Sequence, residues 1–275
     1  MKKILITTDF SELSQNAIHY ALDFFESEIC TFYLMHVVAS NSYLLDDFYT
    51  ATEDDSVETI VFGDQKERLV KLLQEIKKKQ VNSNFSFKAI TDFDILKKGI
   101  QEACKTFEID LVIQGSDGKS SLGEKFFGAH STRLIRESKT PVLIIPESTS
   151  YKPIQRVVLG IDQNRNYMPQ IPIFIKWLFD SKFIKELTIL NFKNEPNLEH
   201  AKNWKNELVD FNPSVKYIPT DDVEEAIRLC QEILNAELSL VLTSTKPIFE
   251  RIISGSTISG LVEKSKVPVL FIPEN

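Results

Sequence analysis

Short runs of branched apolar residues alternate along the first half of the chain with stretches in which apolar positions recur every three or four residues. The runs at 3–8, 31–38, 85–90, 110–114 and 141–146 are rich in Ile, Val, Leu and Phe. Such continuous apolarity predicts strands buried on both faces, as in a parallel sheet. Between Ser11 and Phe25 the positions Leu13, Ala17, Ala21, Leu22 and Phe25 fall on one helical face. Ser11 is the natural N-cap of that helix, since its oxygen can accept from a free backbone N–H. Helices over 64–80, 94–107 and 129–138 complete the unit. Five strands separated by four helices predict a doubly wound α/β sheet. Ligands of such sheets sit beyond the carboxyl ends of the strands, where the connections diverge to opposite faces.

The pattern is then written a second time. "KKILITTDF" (2–10) is answered by "QRVVLGIDQ" (155–163), with Asp162 in the place of Asp9, and "SKTPVLIIPE" (138–147) by "SKVPVLFIPE" (265–274). Upstream of these closing runs the match holds without a gap: Gly128 with Gly255, Leu111 with Leu238, Ile100 with Ile227. The expectation is two tandem five-stranded parallel sheets, residues 1–147 and 154–275, joined by a polar linker at 148–153. The first half alone carries an acidic insertion at 39–63, expected to be mobile or to form an interface.

The candidate chemistry lies in "GSDGKSSLGEKFFGAHS" (115–131), which holds four of the nine glycines. Gly115 and Gly118 lack a Cβ, so the backbone can turn sharply and approach a ligand closely. The N–H groups of such a loop can line a concave anion site, and a helix opening near Gly128 adds its own unpaired N–H groups. Ser131 could donate one more hydrogen bond. Asp9, at the end of the first strand, could accept from a ribose hydroxyl or a base amine. Neither the Walker A loop nor the Rossmann fingerprint is present: two residues, not four, separate Gly115 from Gly118, and the first strand leads into "TTDFSE". Glycines at these places serve equally well to turn a strand into a helix.

The spacing Gly115-x2-Gly118-x9-Gly128 resembles the nucleotide-binding signature of the universal stress protein family. So do the strand ending in Asp9, "MHVV", "DLVIQGSDG" and the closing "PVLIIP". The resemblance covers the chain once per half. It implies a Rossmann-like α/β fold of strand order 3-2-1-4-5 in each half, and binding of ATP or AMP, with or without Mg²⁺. By position, Asp9 would contact the adenosine, the backbone of Val37 or Val38 the base, and Gly115, Gly118, Gly128 and Ser131 the phosphates, with His130 in the same turn. The family often pairs its last strands, which here places 142–145 against 269–272 as an intrachain pseudo-dimer and leaves room for a homodimer. The chain departs from the family at Ala129, where a hydroxyl is usual, and at Asp117, whose charge opposes a phosphate unless it points outward or helps hold Mg²⁺. Lys119 offsets it. In the second half Leu242, Thr245 and Ile258 replace Gly115, Gly118 and Ser131, so that copy reads as degenerate.

Composition narrows the class further. The net charge of -7 argues against nucleic acid as a partner. No run of about 20 apolar residues suits a membrane span, and the start reads as a strand, not a leader. A cytoplasmic protein with three buried, reduced thiols at Cys30, Cys104 and Cys230 is expected. His19 and His36 read as surface or packed residues. No metal cluster and no catalytic base stand out, so weak hydrolysis or autophosphorylation is compatible with the sequence but not indicated by it. An unidentified protein partner completes the reading.

Overall fold

The computed structural model describes residues 1–36, 56–90, 99–116, 131–132, 134–136, 138–147, 149–161, 168–192, 198–220, 222–244 and 255–274. Ten strands form one sheet: β1 Lys2–Thr8, β2 Cys30–His36, β3 Phe85–Ile90, β4 Leu111–Gly115, β5 Val142–Ile145, β6 Arg156–Ile161, β7 Glu186–Asn191, β8 Pro213–Tyr217, β9 Leu238–Ser244 and β10 Val269–Glu274. Their order is β3-β2-β1-β4-β5-β10-β9-β6-β7-β8. All neighbours are parallel except β5 and β10, which are antiparallel. Each run of five has the order 3-2-1-4-5, but the two join edge to edge into a single sheet.

That joint has a definite register. Val142 faces Phe271, Leu143 faces Leu270 and Ile144 faces Val269. Leu143 and Leu270 are matched positions of the internal repeat, so the local twofold axis passes between them. The same axis brings a second matched pair together: Thr132 Oγ1 and Ser259 Oγ lie 2.9 Å apart.

Helices cover both faces. Glu12–Phe24, Ser56–Lys79, Gln170–Leu178 and Leu198–Glu207 lie on one face. Gly99–Phe107, helical residues 131–132 and 134–136, Val223–Ile233 and Gly255–Lys264 lie on the other. Each face has one apolar core, and each core draws on both halves of the chain. The three cysteines are free and buried as expected, and burial pushes the Cys30 thiol up to about 12.

One boundary differs from expectation. The helix expected from 64 begins at Ser56, so the end of the 39–63 insertion is helical. The run "ETIVFG" (58–63) is β-branched and closes on glycine, which lowers its intrinsic helix preference; the tertiary setting overrides it. Residues 39–55 of the insertion, and residues 94–98 of the helix expected over 94–107, lie outside the described residues.

A buried ion triad clamps the halves on the face of the first helix. The Glu28 carboxylate binds Lys2 and, at 2.5 Å, Lys182, and accepts from the Ser181 hydroxyl at 2.7 Å. All three charged side chains are below 10 % exposed. Lys2 also reaches the Trp177 carbonyl and lies over the Trp177 ring, while Lys182 lies over Phe24. Burial pushes the Glu28 carboxyl up, but hydrogen bonds from Lys182, Lys2 and Ser181 outweigh it and hold the group below its ordinary value. Burial holds Lys182 below the usual lysine range.

Glu28→Ala strands two buried ammonium groups and is expected to lower unfolding stability by about 3–5 kcal/mol in urea titrations. Replacing all three charges by Leu and Met of similar volume is expected to recover most of that loss. Because the folded-state pKa of Glu28 is depressed, its contribution is complete above the ordinary glutamate range and is lost as pH falls through the folded value. Glu28→Gln should therefore flatten the acid limb of the stability profile.

Candidate functional site

The switch point of the first half lies where β1 and β4 are neighbours but not consecutive in the chain. The turn leaving β1, residues 8–14, is closed by its own side chains. Ser11 Oγ accepts from Ser14 N–H at 3.2 Å and so caps the helix Glu12–Phe24. Asp9 Oδ1 accepts from Ser11 N–H at 3.0 Å and from the Ser11 hydroxyl. Thr8 Oγ1 accepts from Phe10 N–H at 3.0 Å and meets Ser14 Oγ at 2.9 Å. Between them Phe10 adopts a left-handed backbone, φ 66°, a conformation that disfavours a bulky residue.

Phe10 is held there from both sides. Its ring stacks on His36 with centroids 4.4 Å apart, and the Arg68 guanidinium lies 4.4 Å above it. His36 Nδ1 lies 2.9 Å from the Thr8 carbonyl, which ties the end of β2 to the end of β1. His36 therefore packs, as expected, and His19 is exposed on its helix. Burial pushes the Asp9 carboxyl up. Hydrogen bonds from the Ser11 hydroxyl and N–H, with others from Ser14 and its own backbone, outweigh burial and hold Asp9 below the ordinary carboxylate range.

Beside this turn, β4 ends at Gly115. A Cβ added there would lie 2.9 Å from the Leu13 carbonyl oxygen and 3.2 Å from its carbon. Glycine at 115 thus lets the first helix cross the end of β4 in backbone contact, a reason for it independent of any ligand. Ser116 N–H donates to the Ile145 carbonyl at 2.7 Å. Ser131 is fully buried, and its Oγ accepts from Gln114 Nε2 at 3.1 Å. Of the sequence candidates, Asp9, Gly115 and Ser131 are described. Val37, Val38, Gly118, Gly128 and His130 lie outside the described residues, as do Asp117, Lys119 and Ala129.

The second half differs at matched places. Leu242 lies within β9, paired with Ile272, and Ile258 is 3 % exposed; both are core residues. Phe192, which follows β7 as Val37 follows β2, is 4 % exposed and turned inward. A Cβ on Gly160 would lie 3.3 Å from its ring, so that glycine makes room for it. Asp162 and Thr245 lie outside the described residues.

Sequence reasoning missed four contributors: Thr8, Ser14, Phe10 and Arg68. The two hydroxyls had a usable signal, since both flank the Ser11 cap. The Phe10–Arg68 contact joins residues far apart in the chain, and a single sequence holds no trace of it.

The described architecture is that of a mixed α/β protein with a mainly parallel sheet whose switch point lies between β1 and β4. The signature of the Universal stress protein family matches residues 1–146, and the chain belongs to that family. Universal stress protein MJ0577 of Methanocaldococcus jannaschii is 28 % identical over 158 residues, covering 54 % of this chain and 97 % of that protein. The crystal structure of a universal stress protein from Archaeoglobus fulgidus DSM 4304 is similar over 99 % of this chain and 98 % of its own, at 18 % identity and a TM-score of 0.70. The cytoplasmic domain of a prokaryotic cation chloride cotransporter shares the fold at 11 % identity and a TM-score of 0.58, over 98 % of this chain and 94 % of its own. No helix among the described residues is long and apolar enough to cross a membrane.

Gly115→Ala tests the packing reading. The added methyl meets backbone, which cannot swing away, and is expected to cost about 1–3 kcal/mol in thermal or urea unfolding. A variant as stable as wild type would mean that the first helix is free to shift.

Proposed function

We propose that the chain is a cytoplasmic stress-response regulator that binds ATP or AMP in its first half, residues 1–147. Residues 154–275 form a second domain with a degenerate site, and 148–153 is the linker. Asp9 serves the adenosine part and the backbone of Val37 or Val38 the base. Gly115, Gly118, Gly128, His130 and Ser131 surround the phosphates, with or without Mg²⁺. Occupancy changes the surface at the carboxyl ends of β1 and β4, which a protein partner reads. Binding is the function, and turnover has no assigned general base.

The observation that carries this reading is the contrast between matched positions. The first half has Gly115 at the end of β4 and a buried Ser131 hydroxyl held by Gln114. The second half fills the equivalent places with Leu242, Ile258 and an inward Phe192. A glycine and a hydroxyl kept in one copy and replaced by apolar core residues in the other is the pattern expected when only one copy holds a ligand.

A second reading, an interaction protein without a ligand, is favoured by Gly115, whose packing role needs no phosphate. Mass spectrometry of small molecules released on denaturation, with calorimetric titration of ATP and AMP, separates the two. The nucleotide reading expects a released adenine nucleotide or measurable binding, and a loss of about tenfold or more in Gly118→Val, where a side chain blocks close approach to the phosphates. No released nucleotide and no binding at millimolar ATP would leave the second reading standing.

A further inference from the structure

The helix Ser56–Lys79 turns one seam inward, through Leu69, Leu72, Leu73 and Ile76, all part of or packed against the core. Continued one turn toward the start of the helix, the same seam reaches Gln65. Periodicity calls for an apolar residue there. Gln65 is half-buried, and its Oε1 is shut off from solvent with no hydrogen-bond partner among the described residues. It is the single such buried side-chain atom among the described residues. Buried acceptors are almost always paired, and an unpaired one signals a missing partner.

Arg68 fixes where this acceptor stands. It lies one turn further along the helix, with its guanidinium on Phe10, the residue that follows Asp9. The chain enters this helix after the carboxyl end of β2 and leaves it before the amino end of β3. A helix rises 1.5 Å per residue, so Gln65 stands about 4.5 Å beyond Arg68, outward over the carboxyl ends of the strands. An orphan acceptor and the Asp9 carboxylate are thus brought to one edge by the Arg68–Phe10–His36 stack.

We propose that Gln65 reads the ligand bound beside Asp9 by accepting a hydrogen bond from an amino group on it. Resting on the nucleotide reading above, that group is the exocyclic amine of adenine. A side-chain amide is suited to this amine. In the orientation that the side chain holds here, a base with a carbonyl at the same position sets acceptor against acceptor and gains a bond only by turning the amide over, so Gln65 favours an amino-purine over an oxo-purine.

Calorimetric titration of wild type and Gln65→Leu with ATP and with inosine triphosphate, which carries a carbonyl in place of that amine, tests this. Wild type is expected to favour ATP by about tenfold, the worth of one such hydrogen bond. Gln65→Leu is expected to lose that preference by weakening ATP alone, and to melt no lower than wild type, because it removes an unpaired buried acceptor. If Gln65→Leu binds ATP as wild type does and keeps the preference, the assignment of Gln65 is overturned while nucleotide binding stands. Equal wild-type affinity for the two nucleotides overturns it as well, and decides the matter even if the variant fails to fold. Binding of neither nucleotide removes the parent reading and this one with it.

Discussion

Three residue pairs between β5 and β10 hold the molecule as one body. Val142–Ile145 and Val269–Phe271 are each at most 1 % exposed. Separated, each half would offer water an apolar strand edge with unpaired N–H and C=O groups, the kind of edge that templates aggregation. Paired, the two edges vanish, and only β3 and β8 remain as sheet edges. Because Leu143 faces Leu270, the contact is isologous: each strand meets the counterpart of itself, and a residue that packs well once packs well twice. Both strands must also pair in parallel with an inner neighbour, β4 or β9. That double demand accounts for the near identity of "PVLIIP" and "PVLFIP".

The joint also frees the carboxyl edges of the sheet from carrying it. It makes the two apolar cores continuous across both halves, so the sheet does not depend on the turns at its carboxyl edges. Those turns are free to carry polar groups. In the first half the Thr8–Ser14 turn joins the Thr8 and Ser14 hydroxyls, and the Ser11 hydroxyl donates to Asp9, whose carboxyl is held below its ordinary range. In the second half Phe192 packs against Gly160 and Ile227, and the same region is given over to core.

Much of this was legible in the sequence because it rests on period and on repetition. Two-faced apolar runs marked the strands. The resemblance to a family that often pairs its last strands placed 142–145 against 269–272, and Ser11 before "ELSQNAI" marked a cap. The start of the helix at Ser56 was hidden by a β-branched run that local preference reads as non-helical. The left-handed backbone of Phe10 was hidden because His36 and Arg68, which hold it, are distant in the chain. Gln65 is the intermediate case. Its place in the seam with Leu69, Leu72 and Ile76 was readable, but only burial without a partner distinguishes a functional polar residue from a tolerated one.

A chain that carries both copies can do what two identical subunits cannot. In a symmetric dimer every substitution appears twice, so a crevice cannot be filled on one side and kept open on the other. Here Thr132 and Ser259, on the axis, keep matching hydroxyls, while Ser131 and Ile258, one residue away, have diverged. Residues on the axis are coupled by their contact, and those off it are not. The connecting segment makes the joint intramolecular, so its occupancy does not depend on concentration. Tyr151 in that segment stands edge-on to Tyr20 and Phe24, and Asn16 donates to the Thr149 carbonyl. The linker is therefore packed into the clamp face rather than hanging free. With the joint held by strand pairing, the buried triad and the connecting segment together, the second half can carry Leu242 and Ile258 in its core without loosening the first.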